Sequence, residues 1–360
     1  MQEAGPPAIV DIRDVEVIVP NFKRRLSGVT STIIQLVPVQ RALGQKVATL
    51  GPGLPAELPH LRYSDLIRLW RPPSGKRLRL WHARRNIEML PAIIMRDILR
   101  MPLKIVFTSA SQRRHTGWTR WLISKMDGVI ATSGKTADYL VVPSTLILHG
   151  IDTERFSPPA EKAEAKRARG LDPQRKVVGC FGRVRHQKGT DLFVDTMIRV
   201  LPDRPDWIGV IAGRATGPHV EFENSLKAKV KAAGLADRIL FVGEHTDINE
   251  WYRALDLFIA PQRWEGFGLT PLEAMATGVP VIATDVGAFP ELIVTDEAET
   301  GVIIPRDNLE AMADAASAFM EDQNRREAAS SRARAHAAAH FSIEGEARAL
   351  GNFYRLTVSA

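Results

Sequence analysis

The segment Leu257-Phe258-Ile259-Ala260-Pro261-Gln262-Arg263-Trp264-Glu265-Gly266-Phe267-Gly268-Leu269-Thr270-Pro271-Leu272-Glu273-Ala274-Met275-Ala276-Thr277-Gly278-Val279-Pro280-Val281-Ile282-Ala283 reads as strand, loop, helix, strand. The apolar run 257–260 is too short for a helix and suits a buried strand. The loop that follows holds Gly266 and Gly268, which let backbone amides approach a ligand. Thr270 is a good N-cap and Pro271 suits a first helical position, so a helix is expected from there. The apolar run 279–283 supplies the next strand. Strand–helix alternation implies a parallel sheet with helices on both faces.

The same alternation extends along the whole chain. Strand candidates in the first half are 15–19, 46–50, 78–81, 103–107, 128–131 and 146–148, with helical patterns at 29–43 and 87–100. In the second half they are 177–181, 207–212, 239–242, 257–260, 279–283 and 302–304, with helices expected at 191–201 and 224–233. The break is 156–171, where Pro158-Pro159 leads into a charged, alanine-rich run. The expected fold is α/β: two doubly wound Rossmann-like domains facing a cleft. The expected division is 1–155, 156–340 and a terminal helix 341–360 that packs back on the first domain. Ligands of such sheets bind at the carboxyl ends of strands where strand order reverses, so function is expected in the loops after strands.

A chain of 360 residues suits two cores. Hydrophobic residues make up 45% and charged residues 25%, the balance of a soluble globular protein. The single cysteine, Cys180, excludes a disulfide framework within the chain and fits a reducing cytosol; its apolar neighbours imply burial. Residues 1–7 lack the apolar core of a secretory signal, and no stretch approaches the ~18 apolar residues of a membrane span. The net charge of +7 is unevenly spread. Residues 60–125 hold fifteen Lys or Arg against three acids, which leaves +12 there and −5 elsewhere. Such an excess implies an anionic partner, unless it is an ordinary solvated face with scattered arginines.

Chemistry concentrates in two loops. In the loop after 257–260, a helix N-terminus offers free N–H groups to an anion. Glu265 and Glu273 would repel a phosphate and should instead accept hydrogen bonds from sugar or ribose hydroxyls. The bland alternative for Glu273 is a capping box, Thr270-x-x-Glu273, and for Glu265 an exposed loop acid. The second loop, Phe181-Gly182-Arg183-Val184-Arg185-His186-Gln187-Lys188-Gly189, places Arg183 and Lys188 at a strand's carboxyl end, where a diphosphate needs cations. Together the loops match a nucleoside diphosphate sugar and give no nucleophile–base pair.

From Phe181 to Ile304 the chain resembles the donor domain of retaining glycosyltransferases of family 4, which have the two-domain GT-B fold. The resemblance is carried by Gly182-Arg183, Gln187-Lys188-Gly189, Ala212-Gly213, Phe241-Val242-Gly243, the pair Glu265 and Glu273, and Gly278-Val279-Pro280-Val281-Ile282. The stretch from His149 to Pro158 is similar to that family's crossing segment. The whole chain, including Phe107-Thr108-Ser109-Ala110-Ser111-Gln112-Arg113-Arg114-His115, is similar to bacterial lipopolysaccharide core mannosyltransferases.

The resemblance implies roles. Arg183 and Lys188 hold the donor diphosphate and stabilise the leaving group. Glu265 contacts the hexose, and Glu273 the ribose. Backbone at Gly182, Gly243, Gly266, Phe267, Gly268, Leu269 and Thr270 lines the donor. Ser27-Gly28 stands where the family has a more glycine-rich loop, and His115, expected to open a helix, faces the donor sugar. Retaining transfer without a metal or other cofactor follows, with cations in place of a divalent ion. The donor expected is GDP-mannose. The acceptor expected is a lipid-linked anionic saccharide, reached from the inner face of a bacterial inner membrane by a cytoplasmic, peripheral enzyme.

Other readings make distinct demands. A nicotinamide oxidoreductase needs Gly-x-Gly-x-x-Gly after the first strand, and this chain lacks it. No helix-turn-helix, zinc or RNA-binding motif supports a nucleic-acid partner. A transferase using UDP-glucose or another donor, a GT-B phosphorylase or epimerase, or an anion-binding module remain as alternatives. Trp118, Arg120 and Trp121 suit a membrane surface, unless the tryptophans are core.

Overall fold

Short apolar runs form strands because their side chains are buried on both faces of the sheets. A computed structural model describes residues 8–24 and 28–359. Ser27 and residues 1–7, which the sequence analysis considered, lie outside the described residues. Internal contacts divide the chain into two units: Met1–Gly150 with Ile343–Ala360, and Ile151–Ser342.

The strands of the first unit are β1 (Val17–Pro20), β2 (Val47–Leu50), β3 (His60–Leu61), β4 (Arg79–Ala83), β5 (Leu103–Ser109), β6 (Gly128–Ala131) and β7 (Thr145–Leu146). All pairings are parallel, in the order β3-β2-β1-β4-β5-β6-β7. The order reverses between β1 and β4. Helix α1 (Gly28–Ala42) buries Ile33, Leu36 and Val37, a one-sided helical stripe, against Val17 and Val19 of β1. Each such side chain contributes about 1.5–3 kcal/mol by leaving water. The other face carries α2 (Asn86–Ile93) and α3 (Gly117–Ser124), through Met89, Ile93 and Leu122. The expected helix 87–100 is split. After Ile93 it widens into a π-helical turn, Ile94–Ile98, and stops before Arg100, which has φ 51°. A short α4 (Gly134–Ala137) follows β6.

The second unit opens with α5 (Lys162–Ala168). Its strands are β8 (Lys176–Phe181), β9 (Trp207–Ala212), β10 (Ile239–Gly243), β11 (Leu257–Ala260), β12 (Val281–Thr284) and β13 (Gly301–Ile304). They form a parallel sheet in the order β10-β9-β8-β11-β12-β13, which reverses between β8 and β11. Helices α6 (Thr190–Val200), α7 (Val220–Ala232) and α11 (Leu309–Glu321) share one core through Phe193, Val230 and Phe319. Between them in sequence come α8 (Ile248–Arg253), α9 (Leu269–Ala276) and α10 (Phe289–Leu292). Helix α12 (Gln323–His340) buries Ala329, Ala333 and Ala337, small residues that let it approach α9 closely. Cys180 is buried, which pushes its thiol up to about 12.

The last helix, α13 (Ile343–Ser359), belongs to the first unit. Ile343, Ala347, Leu350 and Tyr354 join the core beneath α1. Gly128 faces the Phe353 ring so closely that an added Cβ would stand 2.8 Å from it.

Candidate active site

In the second unit the loops after β8 and β11 flank the point where strand order reverses, the usual ligand position in such sheets. Gly182 donates its N–H to Ala212 O at 2.9 Å, and Gly213 donates to Gly243 O at 2.6 Å, so the ends of β8, β9 and β10 are tied together by glycine backbone. Gly189 has φ 69°, and a Cβ there would stand 1.8 Å from Pro261 O. Only glycine therefore lets the Lys188 turn press against the end of β11.

That closeness brings the expected charges together. Lys188 Nζ pairs with Glu265 Oε2, and both side chains are largely shielded from water. Glu265 Oε1 accepts from Gly266 N–H at 3.1 Å. Arg263 is held by Asp191 through bonds of 2.7 and 2.9 Å, which locks the two loops together. Arg183 is exposed, and no hydrogen bond or ion pair to a described residue holds its guanidinium. Arg185, which sequence reasoning passed over, is half-buried between them. Its Nε has no partner among the described residues. Desolvation, and then Arg183, lower its pKa.

Helix α9 begins differently from the sequence expectation. Its N-cap is Gly268, at φ 88° and ψ 93°, and not Thr270. Thr270 and Pro271 are the second and third helical residues. Proline fits there because first-turn N–H groups have no partner within the helix. The capping box does not form. No side chain caps the helix; Glu273 Oε2 instead accepts from the Tyr252 hydroxyl at 2.8 Å. A Cβ on Gly268 would collide with the Phe289 ring at 2.3 Å and with Glu265 Cγ at 2.7 Å, which is why the backbone turns into the helix at this residue. Burial raises the Glu273 carboxyl above its ordinary value, against the Tyr252 bond, and pushes the Tyr252 phenol well up. Nothing in the sequence marked Tyr252, because its role arises from a helix distant in sequence.

Gly28 and His115 lie in the first unit, whereas Gly182, Arg183, Lys188, Gly243, Glu265, Gly266–Thr270 and Glu273 lie in the second. Gly28 is exposed at the start of α1. His115 does not open a helix; it precedes Thr116, the N-cap of α3. It lines a hollow of about 340 Å³ at the ends of β1, β4 and β5, beside Lys23 and Arg113. Its Nε2 is buried with no partner among the described residues. Burial and then Arg113 lower its pKa, so the ring is neutral near pH 7.

The basic segment is less uniform than its count suggested. Arg79 is buried and donates to Val15 O and Ile12 O, both at 2.8 Å, with its pKa lowered to about 10 by burial. Arg85 pairs with Glu88, and Arg96 with Asp97 and Asp127. Trp118 and Trp121 are not core: they are exposed and stack on each other with centroids 5.1 Å apart. Among the described residues no helix is long and apolar enough to cross a membrane, and no group of three His, Cys, Asp or Glu is placed to hold a metal ion.

Comparison with known proteins gives the following. A model of "Glycosyl transferases group 1" matches residues 161–336. Lipopolysaccharide core biosynthesis mannosyltransferase LpsB of Rhizobium meliloti (strain 1021) is 71% identical over 346 residues, covering 96% of this chain and 99% of that protein. Lipopolysaccharide core biosynthesis mannosyltransferase LpcC of Rhizobium leguminosarum bv. viciae is 56% identical over 344 residues, covering 96% and 97%. Among solved structures, Anabaena HepE in complex with UDP superposes with a TM-score of 0.81 at 18% identity, covering 94% of this chain and 99% of that one. It shares the fold, two Rossmann-like domains of the GT-B type.

Proposed function

This chain belongs to the group 1 glycosyl transferases, and from that premise we propose that it moves mannose from GDP-mannose to a lipid-linked, anionic saccharide of the lipopolysaccharide core, with retention at the anomeric carbon. That it is a glycosyltransferase of lipopolysaccharide core biosynthesis follows from its likeness to LpsB and LpcC along nearly their whole length. Mannose, the guanine base, retention and the membrane-bound acceptor are the proposed part.

The observation that carries the reading is the Lys188–Glu265 pair at the point where strand order reverses. A diphosphate sugar presents phosphate charge and hexose hydroxyls side by side. The pair presents a cation and a carboxylate side by side, each stabilised by the other until the donor arrives. Arg183 adds an exposed cation for the leaving diphosphate, which Arg can grip as a fork. Glu273, held through Oε2 by Tyr252, keeps Oε1 for a ribose hydroxyl. Since the cations neutralise the leaving group, no divalent ion is required. The acceptor hydroxyl attacks on the face from which the diphosphate departs, and His115, neutral, is the group we place beside that hydroxyl.

The exposed Trp118–Trp121 stack, flanked by Arg114, Arg120 and Lys125, suits the boundary between headgroups and acyl chains. We place the enzyme there, peripheral to the inner face of the inner membrane. The test is transfer from GDP-mannose to a lipid-linked core acceptor in excess chelator, with the product's anomeric configuration read by NMR. An α-mannoside formed from the α-linked donor supports the reading. An inverted product, or activity lost to chelator and restored by manganese, removes the mechanism.

A further inference from the structure

At the strand-order reversal of the first unit lies a guanidinium that the known activity does not explain. Arg84 follows β4 and lines the hollow that also contains Lys23, Arg113, His115 and Thr108. Its Nε and Nη1 are buried and have no hydrogen-bond partner among the described residues. Buried donors are almost always satisfied, and an unpaired buried charge is costly. Burial lowers the Arg84 pKa, the sign of a cation short of compensation.

The acids nearby are already committed. Glu88 gives Oε1 to Arg85 at 2.8 Å and Oε2 to the Arg84 backbone N–H at 2.7 Å. Glu346 gives its oxygens to His149 and to Gly150 N–H, at 2.9 and 2.8 Å. The guanidinium is thus left over after every neighbouring carboxylate has been used.

A buried relay prepares a further donor on the floor of the same hollow. The Tyr354 hydroxyl lies 2.6 Å from His82 Nδ1, and His82 Nε2 lies 2.6 Å from Thr108 Oγ1. Burial keeps His82 neutral, with one ring proton to place. A phenolic proton given to Nδ1 leaves the ring's own proton on Nε2. Nε2–H then donates to Thr108, whose own proton is available to the hollow. Cations line the rim, a buried cation and a hydroxyl donor the floor, and no uncommitted acid stands among them.

We propose that this hollow seats an oxyanion of the acceptor, a carboxylate or a phosphate on the saccharide, with Arg84 as its counter-ion and Thr108 as a neutral donor. The proposal rests on the reading of the acceptor as an anionic saccharide, and it fixes where that charge is held. It makes Arg84 a specificity residue: a neutral sugar would leave the guanidinium unpaired and be rejected.

The test uses the full chain, with inorganic phosphate as probe. With the donor site filled by saturating GDP, phosphate raises the Tm of the native protein by several degrees, because it binds the folded state alone. Arg84→Met abolishes that shift. The same substitution raises the Tm of the anion-free protein, because it removes a buried unpaired charge; a merely structural arginine would do the opposite. In transfer assays Arg84→Met raises the acceptor KM about tenfold or more and leaves the donor KM unchanged, as expected for loss of a charge-assisted bond. Methyl-esterified and dephosphorylated acceptors separate the sources: the one on which native and variant enzymes become equal carried the anion. If Arg84→Met does not fold, the rim variant Lys23→Gln/Arg113→Gln must still reduce the phosphate shift. An equal phosphate shift in native and variant chains, or an unchanged acceptor KM, overturns the proposal. A phosphate shift that depends on Arg84 without transfer to an anionic saccharide would sink the acceptor reading and leave the oxyanion seat standing.

Discussion

The two sheets reverse strand order in the same way, yet their reversal points carry opposite charge arrangements. In the second unit Lys188 is neutralised by Glu265 and Arg263 by Asp191, so each loop cation but Arg183 and Arg185 has an acid against it. In the first unit Arg84, Lys23 and Arg113 surround one hollow, and the neighbouring acids are engaged elsewhere. A paired site suits a ligand that brings both charge and hydroxyls, as a nucleotide sugar does. An unpaired site suits a ligand that brings net negative charge. The difference teaches that topology places a site while residual charge selects what enters it.

The comparison breaks most severely if Lys188 is dispensable. Lys188→Ala should cut turnover by about 100-fold or more, because developing negative charge on the leaving diphosphate loses its partner; Arg183→Ala should act likewise, with far-UV circular dichroism unchanged. Near-normal turnover of the double variant would exclude the assignment.

A smaller effect separates the two glutamates. Glu265→Gln should weaken GDP-mannose about tenfold and leave GDP nearly unaffected, whereas Glu273→Gln should weaken both alike, since both ligands carry the ribose and only GDP-mannose carries the hexose. Calorimetric titration reads the split directly. Equal effects of both substitutions on GDP would contradict the roles given to them.

The unpaired character of the first unit is sharpened by vesicle co-sedimentation. Each cation near an anionic surface adds on the order of 1 kcal/mol, and salt screens it. Binding to anionic vesicles should be strong at low salt, weak at high salt, nearly absent with neutral lipid, and several-fold weaker after Arg113, Arg114 and Arg120 are replaced by Gln. Salt-independent binding would leave only an ordinary solvated face.

The smallest effect is on stability. The Glu273 carboxyl is raised in the folded state, so the native protein holds its proton more tightly than the unfolded chain does. Stability from this group is therefore present below the usual carboxylate range and lost as pH rises through the raised value. Glu273→Gln should melt about 2–4 °C higher than the native protein at pH 8, if ~1 kcal/mol is recovered, and the gain should fade toward pH 4. A gain that grows on acidification would reverse the sign and the argument.

The fold class was legible because a buried parallel strand is an unbroken apolar run, and runs such as 207–212 and 257–260 coincide with β9 and β11. Strand β3 was not legible: His60–Leu61 is two residues long and carries no periodicity. The Thr270-Pro271 signature was real chemistry in the wrong place, because Gly268 alone could turn the backbone between Phe289 and Glu265. Trp118 and Trp121 are three residues apart, which puts them on one helix face without saying which. Arg84 and Arg85 are adjacent and identical in type, yet one is paired and the other is not. Only the three-dimensional fate of Glu88 and Glu346 tells them apart.

The return of α13 to the first unit has a consequence for how the chain is made. Its Tyr354 closes the relay to His82, and its Phe353 lies against Gly128. These contacts come from residues that follow the whole second unit in sequence. During synthesis the second unit, Ile151–Ser342, is complete in sequence before the first. The amino-terminal sheet must wait, with the α13 side of its core uncovered, until α13 has been made. A premature stop near residue 343 would therefore damage the half of the protein that was translated first.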